Sequence, residues 1–486
     1  MRMRKHPTRR KKAPAKKVRP TKSRTAQRSS KPKRPPKSLP QPVQQDGGGF
    51  LTLLLKRINW ASLNGLQQRK HAAGRPAHTL SRGQLLAAIL FHYTVTWAGT
   101  LGEHLFWLLG ITVSESTLSE RRQALPFVVF EELLKRVLRP LAKPSAEAFF
   151  RGLRLIAIDG VRYSMPNTAQ VNAQCPKVRN CTGGRNPFPK LQCAVLVELL
   201  MHNPLAACLG WKGESEWKVA QGLLEHLPAK SLLLTDRLYG CGAFLLPAWA
   251  KLQSLGSHFL ARVKLGLSIQ REIKRLSDGS RIVEIQAVDP ENKRRVTGTM
   301  QVREIKATIK RKGYRTVQLR LWTSLLDEQL YPAEELVRLY AARWEQELYF
   351  RELKSELKLN NLLQSQTPET AAQEVAAIII GSSLIAEERS KLKPGEELSH
   401  RISFLKVWET LEPLWLTLLV GADILTETQK QQLCERFYAL AATRFMPNKR
   451  IRACPRVLRQ PHQAWPKKRN QKSSTETLHV SIVSRK

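Results

Sequence analysis

The sequence is poor in acidic residues and in long apolar runs. It contains 39 Asp and Glu against 81 Lys and Arg, which gives a formal charge of +42. Such an excess predicts a polyanionic ligand, and nucleic acid is favoured over a membrane. The one uncharged stretch that could span a membrane, Leu85 to Gly102, contains His92 and several threonines. We therefore interpret this stretch as a buried helix and expect no membrane partner.

The sequence also lacks paired cysteines. Its seven cysteines are scattered, and no two of them form a Cys-x2-Cys pair. This pattern excludes the common zinc motifs and favours free thiols in a reducing compartment. The N-terminus is basic without an apolar core, so no signal peptide is predicted. We expect the protein to be in the cytoplasm.

Both ends of the chain are strongly basic. Residues 1–48 carry 17 Lys or Arg, one acid and eight prolines. From Asn448 to Lys472 there are nine Lys or Arg and no acid. Segments of this composition cannot bury enough apolar surface to fold, so residues 1–48 and 446–486 are predicted to be disordered basic tails. Tails of this kind would strengthen DNA binding by releasing counterions, without selecting a sequence.

Residues 50–150 show apolar clusters at helical spacing and are predicted to form an all-α, DNA-binding domain. A helix-turn-helix is one possibility for the region after Ser114. In that arrangement Arg121 and Arg122 would contact phosphates rather than bases.

The remaining pattern predicts an α/β protein, in which helices lie on the faces of a sheet. Residues 151–263 alternate strands and helices and are predicted to form the first part of this core. Residues 264–322 alternate apolar and polar side chains, which predicts a β-rich insertion. Residues 323–365 would contribute an acidic helix to the core, and residues 366–445 a helical region.

Two aspartates follow apolar runs that are typical of buried strands. The run that starts at Leu153 leads to Asp159, and the run that starts at Ser231 leads to Asp236. We expect each aspartate to lie at the end of its strand, where open α/β sheets bind ligands. The alternative is that each one starts a turn or caps a helix.

A third group of polar residues lies in the segment Pro332 to Lys358, which we interpret as one helix. Tyr340, Arg343, Glu347 and Lys354 have offsets that bring them onto one face at 100° per residue. A solvated face with i,i+4 ion pairs is the simpler interpretation. The two upstream aspartates favour a site, because an acid among phosphate-binding groups needs partner carboxylates to hold a divalent metal.

The order strand-Asp, strand-Asp, helix-Glu resembles that of DDE transposases. The spacing Tyr340-x2-Arg343-x3-Glu347-x6-Lys354 matches the YREK motif of the insertion sequence family four transposases without a gap. The resemblance covers most of the chain between the two tails. It departs from the family pattern at Val161 and Leu238, which follow the two aspartates.

The resemblance implies an RNase H-like, mixed-sheet catalytic core, to which residues 151–263 and 323–365 would belong. Asp159, Asp236 and Glu347 would be the catalytic residues and would hold two Mg²⁺ or Mn²⁺ ions. The activity would be cleavage and strand transfer at the terminal inverted repeats of the protein's own element, in cut-and-paste transposition.

The same resemblance implies DNA contacts and an assembly. Tyr340, Arg343 and Lys354 would bind the phosphate at the transposon end. The partners would be double-stranded DNA, as inverted repeats and as target, and a second copy of the chain in a homodimer associated with the bacterial nucleoid.

Two other functions remain open. An RNase H-like nuclease without strand transfer would need the acids alone, and a decayed or domesticated copy would bind DNA without cutting it. Trp322 and Trp344 could stack on a flipped base, but core packing is the simpler role for both.

Overall fold

A computed structural model describes residues 80–96, 98–145, 148–177, 187–289, 292, 294–310, 316–357, 362–392, 402–445 and 479–482. The predicted N-terminal tail, residues 1–48, and residues 446–478 of the predicted C-terminal tail lie outside the described residues.

The described strands form one mixed sheet. They are β1 (Phe149–Phe150), β2 (Leu153–Ser164), β3 (Lys190–Glu198), β4 (Asn203–Gly210), β5 (Ser231–Thr235), β6 (His258–Arg262), β7 (Arg271–Arg275), β8 (Arg281–Val288), β9 (Val296–Lys310), β10 (Val317–Thr323) and β11 (His479–Ile482). The main order is β4-β3-β2-β5-β6-β10-β9-β8-β7.

The first five strands of this order have the topology of an RNase H-like core. Strands β5 and β6 run parallel to β2, and β3 runs antiparallel to both β2 and β4. Counted along the chain from β2, the spatial order is therefore 3-2-1-4-5 with the second strand reversed. Strands β3 and β5 and the first half of β2 are almost fully buried because helices cover both faces of the sheet. The predicted mixed α/β class is confirmed.

The β-rich segment extends the same sheet as a meander. Strand β10 pairs antiparallel with β6 on one side and with β9 on the other, and β8 and β7 follow outward. Strand β11 pairs with β9. It lies within residues 446–486, where only a disordered tail was predicted, so that prediction is wrong for His479–Ile482. The strand is only four residues long, and it is held by backbone pairing with β9.

The helices pack on the two faces of the sheet and around its edge. They are α1 (Arg82–Thr94), α2 (Leu101–Leu109), α3 (Glu115–Ala124), α4 (Val128–Val137), α5 (Ala169–Gln174), α6 (Glu216–Gln221), α7 (Gly242–Ser254), α8 (Ala333–Leu339), α9 (Trp344–Arg351), α10 (Pro368–Lys391), α11 (Phe404–Val420) and α12 (Glu427–Ala442).

Helix α10 is the centre of the largest hydrophobic cluster. It packs against α1, α4 and α11 and against the face of β3 that carries Cys193 and Val195. By length and composition α10 could cross a membrane, but 94% of its most apolar window is buried inside the protein. The helices before and after the sheet therefore share one core.

Helix α3 shows why two basic residues do not by themselves indicate DNA contact. The guanidinium of Arg122 donates to the Ser365 hydroxyl at 2.8 Å and to the Thr370 carbonyl at 3.0 Å. Arg121 donates to the carbonyl of Leu80. In this structure both arginines join α3 to its neighbours, and the phosphate contact expected for a helix-turn-helix stays a prediction.

Candidate active site

Asp159 and Asp236 lie side by side on two parallel strands. Ile158 on β2 is in register with Thr235, the last residue of β5. Asp159 and Asp236 are the residues that follow Ile158 and Thr235, so this register brings the two carboxylates together. Both aspartates follow buried strand residues, as the sequence predicts.

The position of Asp159 differs from the sequence prediction in one respect. Strand β2 does not end there but continues to Ser164, because β3 pairs with it over that whole length. The expectation of a strand end is wrong for Asp159 and holds for Asp236. The site opens at Asp159 because β5 ends at Thr235 and leaves that side of β2 uncovered.

The aspartates share a crowded, half-buried environment. Burial, together with the charges of Asp236 and Glu216, raises the pKa of Asp159 to about 7. The backbone N–H of Gly160, 2.9 Å from Asp159 Oδ1, and the guanidinium of Arg343 act in the opposite direction. Asp236 Oδ1 accepts a hydrogen bond from the N–H of Leu238 at 2.7 Å. Negative charge is therefore concentrated where the two strands meet.

Glu216 is a further acid beside Asp159 and Asp236, and no motif in the sequence indicated it. It lies in the first turn of α6, and its Oε1 accepts a hydrogen bond from the buried Tyr239 hydroxyl at 3.1 Å. Its carboxyl carbon would be 2.2 Å from a Cβ placed on Gly160. Burial and the nearby Asp236 raise its pKa. No spacing in the sequence links Glu216 to Asp159, because α6 reaches the site through the fold.

The segment that carries the third acid is helical but not one regular helix. Helix α8 is followed by a 3₁₀ turn, Tyr340–Arg343, then by α9, and then by a π-helical turn, Glu352–Glu356. Residues in 3₁₀ and π turns rotate by more and by less than 100°, so a stripe calculated at 100° does not continue across them. The prediction of a single regular helix is wrong at these two turns.

Three of the four residues of the predicted stripe do gather beside the aspartates. Arg343 lies between two acids, with Nη1 3.6 Å from Asp159 Oδ2 and Nη2 2.8 Å from Glu347 Oε1. The Tyr340 hydroxyl donates to the carbonyl of Thr235 at 3.0 Å. Tyr340 thus ties the acidic helix to the residue that precedes Asp236.

Lys354 lies elsewhere. Its Nζ is 5.9 Å from the centre of the Tyr163 ring, near the far end of β2. Burial and the charge of Lys190 lower its pKa. The structure therefore brings Tyr340, Arg343 and Glu347 to the aspartates and separates Lys354 from them.

A buried histidine holds the acidic helix from the other side. His202 Nε2 is 2.8 Å from Glu345 Oε2, and its Nδ1 is 2.8 Å from Glu352 Oε1. Burial alone would lower the pKa of His202, but the two carboxylates raise it to about 9. His202 lies in the turn between β3 and β4 with φ of 47°. Nothing in the local sequence indicates that this turn reaches residues on either side of Glu347.

The two tryptophans near the site have different roles. Trp322 is buried, and its indole N–H donates to Glu304 Oε2 at 3.1 Å, so it belongs to the core. Trp344 is 54% exposed, although its position next to Arg343 suggested packing under the site.

The donor set suits a hard divalent cation, although its present arrangement does not form a closed metal site. In the part of the chain that the structure describes, no three His, Cys, Asp or Glu side chains lie close enough to hold an ion. Asp159 and Asp236 supply oxygen ligands of the kind Mg²⁺ and Mn²⁺ prefer. Glu347 is bonded to Arg343, the cation that lies between it and Asp159. For Glu347 to join the aspartates around an ion with Oε1, this oxygen would have to exchange Arg343 for the ion.

Comparison with known proteins agrees with the geometry. Residues 151–382 match the family model described as the transposase DDE domain. The chain is 27% identical over 363 residues to InsG, the transposase for insertion sequence element IS4 of Escherichia coli K12, and the match covers 73% of this chain and 78% of InsG. It is 28% identical over 118 residues to InsZ of the same strain, which covers 22% of this chain and 40% of InsZ.

Among solved structures, one match is to a transposase in complex with DNA. It is the cryo-EM structure of the piggyBac transposase synaptic complex with hairpin DNA, at 9% identity and a TM-score of 0.38, covering 82% of this chain and 83% of that chain. Together, the match of residues 151–382 to the transposase DDE domain and the similarity to InsG over most of the chain support an IS4-type DDE transposase.

Proposed function

We propose that this transposase cuts and joins DNA at the terminal inverted repeats of its own insertion sequence, by a cut-and-paste route. Asp159, Asp236 and Glu347 would hold two divalent ions, Mg²⁺ or Mn²⁺. A homodimer would pair two element ends at the bacterial nucleoid in the cytoplasm. The observation that carries this proposal is the register of β2 and β5, which aligns Asp159 with Asp236 beside the helix of Glu347.

The bound ions would stabilise the charge that develops on the attacking and leaving oxygens of a phosphodiester. The protein's own part is to hold the carboxylates in place and to align the DNA strand. Tyr340 would hold Asp236 in place, since its hydrogen bond to Thr235 fixes the end of β5 against the acidic helix. The pKa of Tyr340 is raised to about 12, chiefly by burial, so its hydroxyl remains a hydrogen-bond donor at neutral pH.

Arg343 would exchange partners during the reaction. In the free protein it neutralises Asp159 and Glu347. When divalent ions neutralise those carboxylates instead, the guanidinium is released to form a two-pronged contact with a DNA phosphate. The exchange would couple formation of the metal site to binding of the DNA end.

The test is cleavage of a labelled duplex that carries the terminal repeat and its flank, in Mg²⁺ and in EDTA. Wild-type protein should nick the duplex at the element boundary in Mg²⁺ and should not nick it in EDTA. Glu347→Gln should abolish the nick and retain DNA binding. Glu334→Gln is the matched control, because Glu334 is an exposed acid of α8 that pairs only with Arg338 among the described residues.

A different pattern would support one of the other functions. Nicking without joining to a target duplex would indicate a nuclease. Binding without nicking in the wild type, under conditions in which an active relative cuts, would indicate a DNA-binding copy, and Val161 and Leu238 would then be the first positions to revert.

A further inference from the structure

The carboxylate of Glu216 lies beside the proposed metal ligands, and the DDE motif does not include it. Glu216 belongs to the first turn of α6 and lies against Gly160, the residue after Asp159. A Cβ at Gly160 would lie 2.2 Å from the Glu216 carboxyl carbon and 2.6 Å from its Oε1. A side chain at this position would displace the carboxylate, so glycine allows Glu216 to approach β2 this closely.

Glu216 and Asp159 approach the site from opposite faces of β2. Successive side chains of a strand alternate between its faces, so Asp159 faces the acidic helix and the Cα hydrogens of Gly160 face α6. Strand β5 ends at Thr235 and leaves the edge of β2 uncovered at this point. Asp236 follows Thr235 there and acts electrostatically on both carboxylates.

Two hydrogen-bond donors connect Glu216 to the segments that carry the aspartates. The hydroxyl of the buried Tyr239, three residues after Asp236, donates to Glu216 Oε1 at 3.1 Å. The backbone N–H of Gly160 donates to Asp159 Oδ1 at 2.9 Å and also lowers the pKa of Glu216. Helix α6 is therefore attached both to the strand of one aspartate and to the loop of the other.

Among the described residues, no cation forms an ion pair with Glu216. Glu198, a buried acid of the same sheet, pairs with Arg154. Arg162 acts on Glu216 electrostatically, but its Nε donates to Gln192. A hydroxyl and an N–H stabilise a carboxylate without neutralising it. The free protein therefore holds Glu216 beside two aspartates at the cost of like-charge repulsion.

We infer that Glu216 is a fourth acid of the metal site, a positioning residue that accepts a hydrogen bond from a water ligand of the ion held by Asp159 and Asp236. The contact is indirect because Tyr239 occupies Oε1, and no three acids among the described residues lie close enough to hold an ion. Mg²⁺ usually keeps several water ligands beside one or two carboxylates, so it can offer such a water. The inference rests on the proposed function, since it requires an ion at the two aspartates.

This role would matter most before DNA binds. In the free protein Glu347 Oε1 is bonded to Arg343, so the two aspartates alone would hold an incoming ion. The negative charge of Glu216 would attract the cation and orient its water. Loss of an outer partner of this kind costs about 10- to 100-fold in metal affinity. Glu216 would thus allow an ion to bind before Glu347 releases Arg343.

The test measures the Mn²⁺ affinity of the DNA-free protein, so it does not depend on catalysis. Electron paramagnetic resonance would follow free Mn²⁺ during titration of wild type, Glu216→Gln and the control Glu225→Gln. A glutamine side chain has the same size and can still accept the Tyr239 hydrogen bond, so Glu216→Gln removes only the charge. Glu225 is an exposed acid of the following 3₁₀ turn, Gly222–His226, and pairs with Lys251.

Glu216→Gln should raise the dissociation constant for Mn²⁺ by about 10- to 100-fold, and Glu225→Gln should leave it unchanged. In EDTA, Glu216→Gln should unfold at a higher temperature than wild type, since it removes a negative charge beside two aspartates. A structural role would instead lower the unfolding temperature. Tyr239→Phe, which keeps the carboxylate, should weaken Mn²⁺ binding less than Glu216→Gln.

Two results would overturn the inference and leave the proposed metal site intact. The first is an unchanged Mn²⁺ affinity of Glu216→Gln while Asp236→Asn binds Mn²⁺ more weakly. The second is a lower unfolding temperature of Glu216→Gln in EDTA, because the loss of affinity would then follow from a loosened fold. Mn²⁺ that binds wild type and Asp236→Asn equally, or binds neither, would contradict the proposed metal site itself.

Discussion

The middle and the end of strand β2 carry opposite charges. Around Asp159, in the middle of the strand, three further acids gather, and Arg343 is the cation placed between them. At the end of the strand Lys190 donates to the Ser164 hydroxyl at 2.6 Å, and the ammonium of Lys354 lies 5.9 Å from the centre of the Tyr163 ring. A protein that binds divalent ions and a DNA strand at the same time would bring cations to the first region and phosphates to the second.

The largest effect is expected from removing a carboxylate from the acidic region around Asp159. Asp236→Asn should reduce cleavage by at least about 100-fold, since loss of groups one shell further from a metal already has effects of that size. DNA binding in EDTA should stay within about twofold, because the phosphate contacts are elsewhere. Asp423→Asn, at an exposed acid outside the site, is the matched control. A parallel loss of binding and cleavage in Asp236→Asn would contradict the separation of roles.

The loop after Asp236 can be disturbed without touching any charge. A Cβ on Gly240 would lie 1.9 Å from the backbone oxygen of Arg262, and backbone atoms cannot move aside easily. Gly240→Ala should therefore destabilise the fold by about 1–3 kcal/mol and reduce cleavage as Asp236 shifts. Gly266→Ala has open space around it and should change stability by less than about 0.5 kcal/mol. Thermal or urea unfolding would compare the two, and equal stability would show that the loop is not held closely.

The histidine that holds the acidic helix predicts a pH dependence of stability. His202 faces Glu345, Glu352 and the more distant Arg389, and its pKa in the folded protein is about 9 against an ordinary 6.5. A raised pKa contributes its full stability below pH 6.5, and this contribution is lost as the pH rises through about 9. The loss should amount to roughly 3 kcal/mol at most, at 1.36 kcal/mol per pKa unit.

Unfolding of wild type and His202→Gln between pH 6 and about 9.5 would test this linkage. The wild type should lose stability over that range, whereas His202→Gln should start less stable and show a flatter profile. His226→Gln, at an exposed histidine, should follow the wild type. Identical slopes in all three proteins would show that His202 does not bind the two carboxylates as a cation.

The smallest expected effect comes from the hydroxyl of Tyr340. Tyr340→Phe would keep the buried ring and remove the hydrogen bond to Thr235. The expected loss is about 1 kcal/mol in stability, the usual value for one such bond. Cleavage should fall by more than this loss of stability alone would produce, because the hydrogen bond holds Thr235, the residue before the metal ligand Asp236. Unchanged cleavage would show that the hydroxyl only supports packing.

The local pattern of apolar and polar residues predicted the main strands and helices, because this pattern follows which side chains are buried. The apolar runs before Asp159 and Asp236 became β2 and β5, and the alternating segment 264–322 became most of the meander. Backbone pairing between distant segments could not be predicted. It carries β2 past Asp159 to Ser164, and it orders His479–Ile482.

The site was predicted where one short motif contained it and missed where the fold assembled it. Arg343 and Glu347 are four residues apart in one helical segment, so their contact follows from spacing. Glu216 and His202 come from other elements, and no sequence periodicity connects them to the motif. Lys354 was predicted on the face of Arg343 and Glu347, and this is wrong because residues in the π-helical turn Glu352–Glu356 rotate by less than 100° each.

The most direct test of this comparison measures binding and cleavage of one labelled DNA end by wild type, Glu347→Gln and Lys354→Gln. Binding would be measured in EDTA and cleavage in Mg²⁺ at saturating DNA. We expect Glu347→Gln to bind normally and not to cut, and Lys354→Gln to bind several-fold more weakly and to cut once saturated. If the two variants lose binding and cleavage together and to the same extent, the middle and the end of β2 do not have separate ligands.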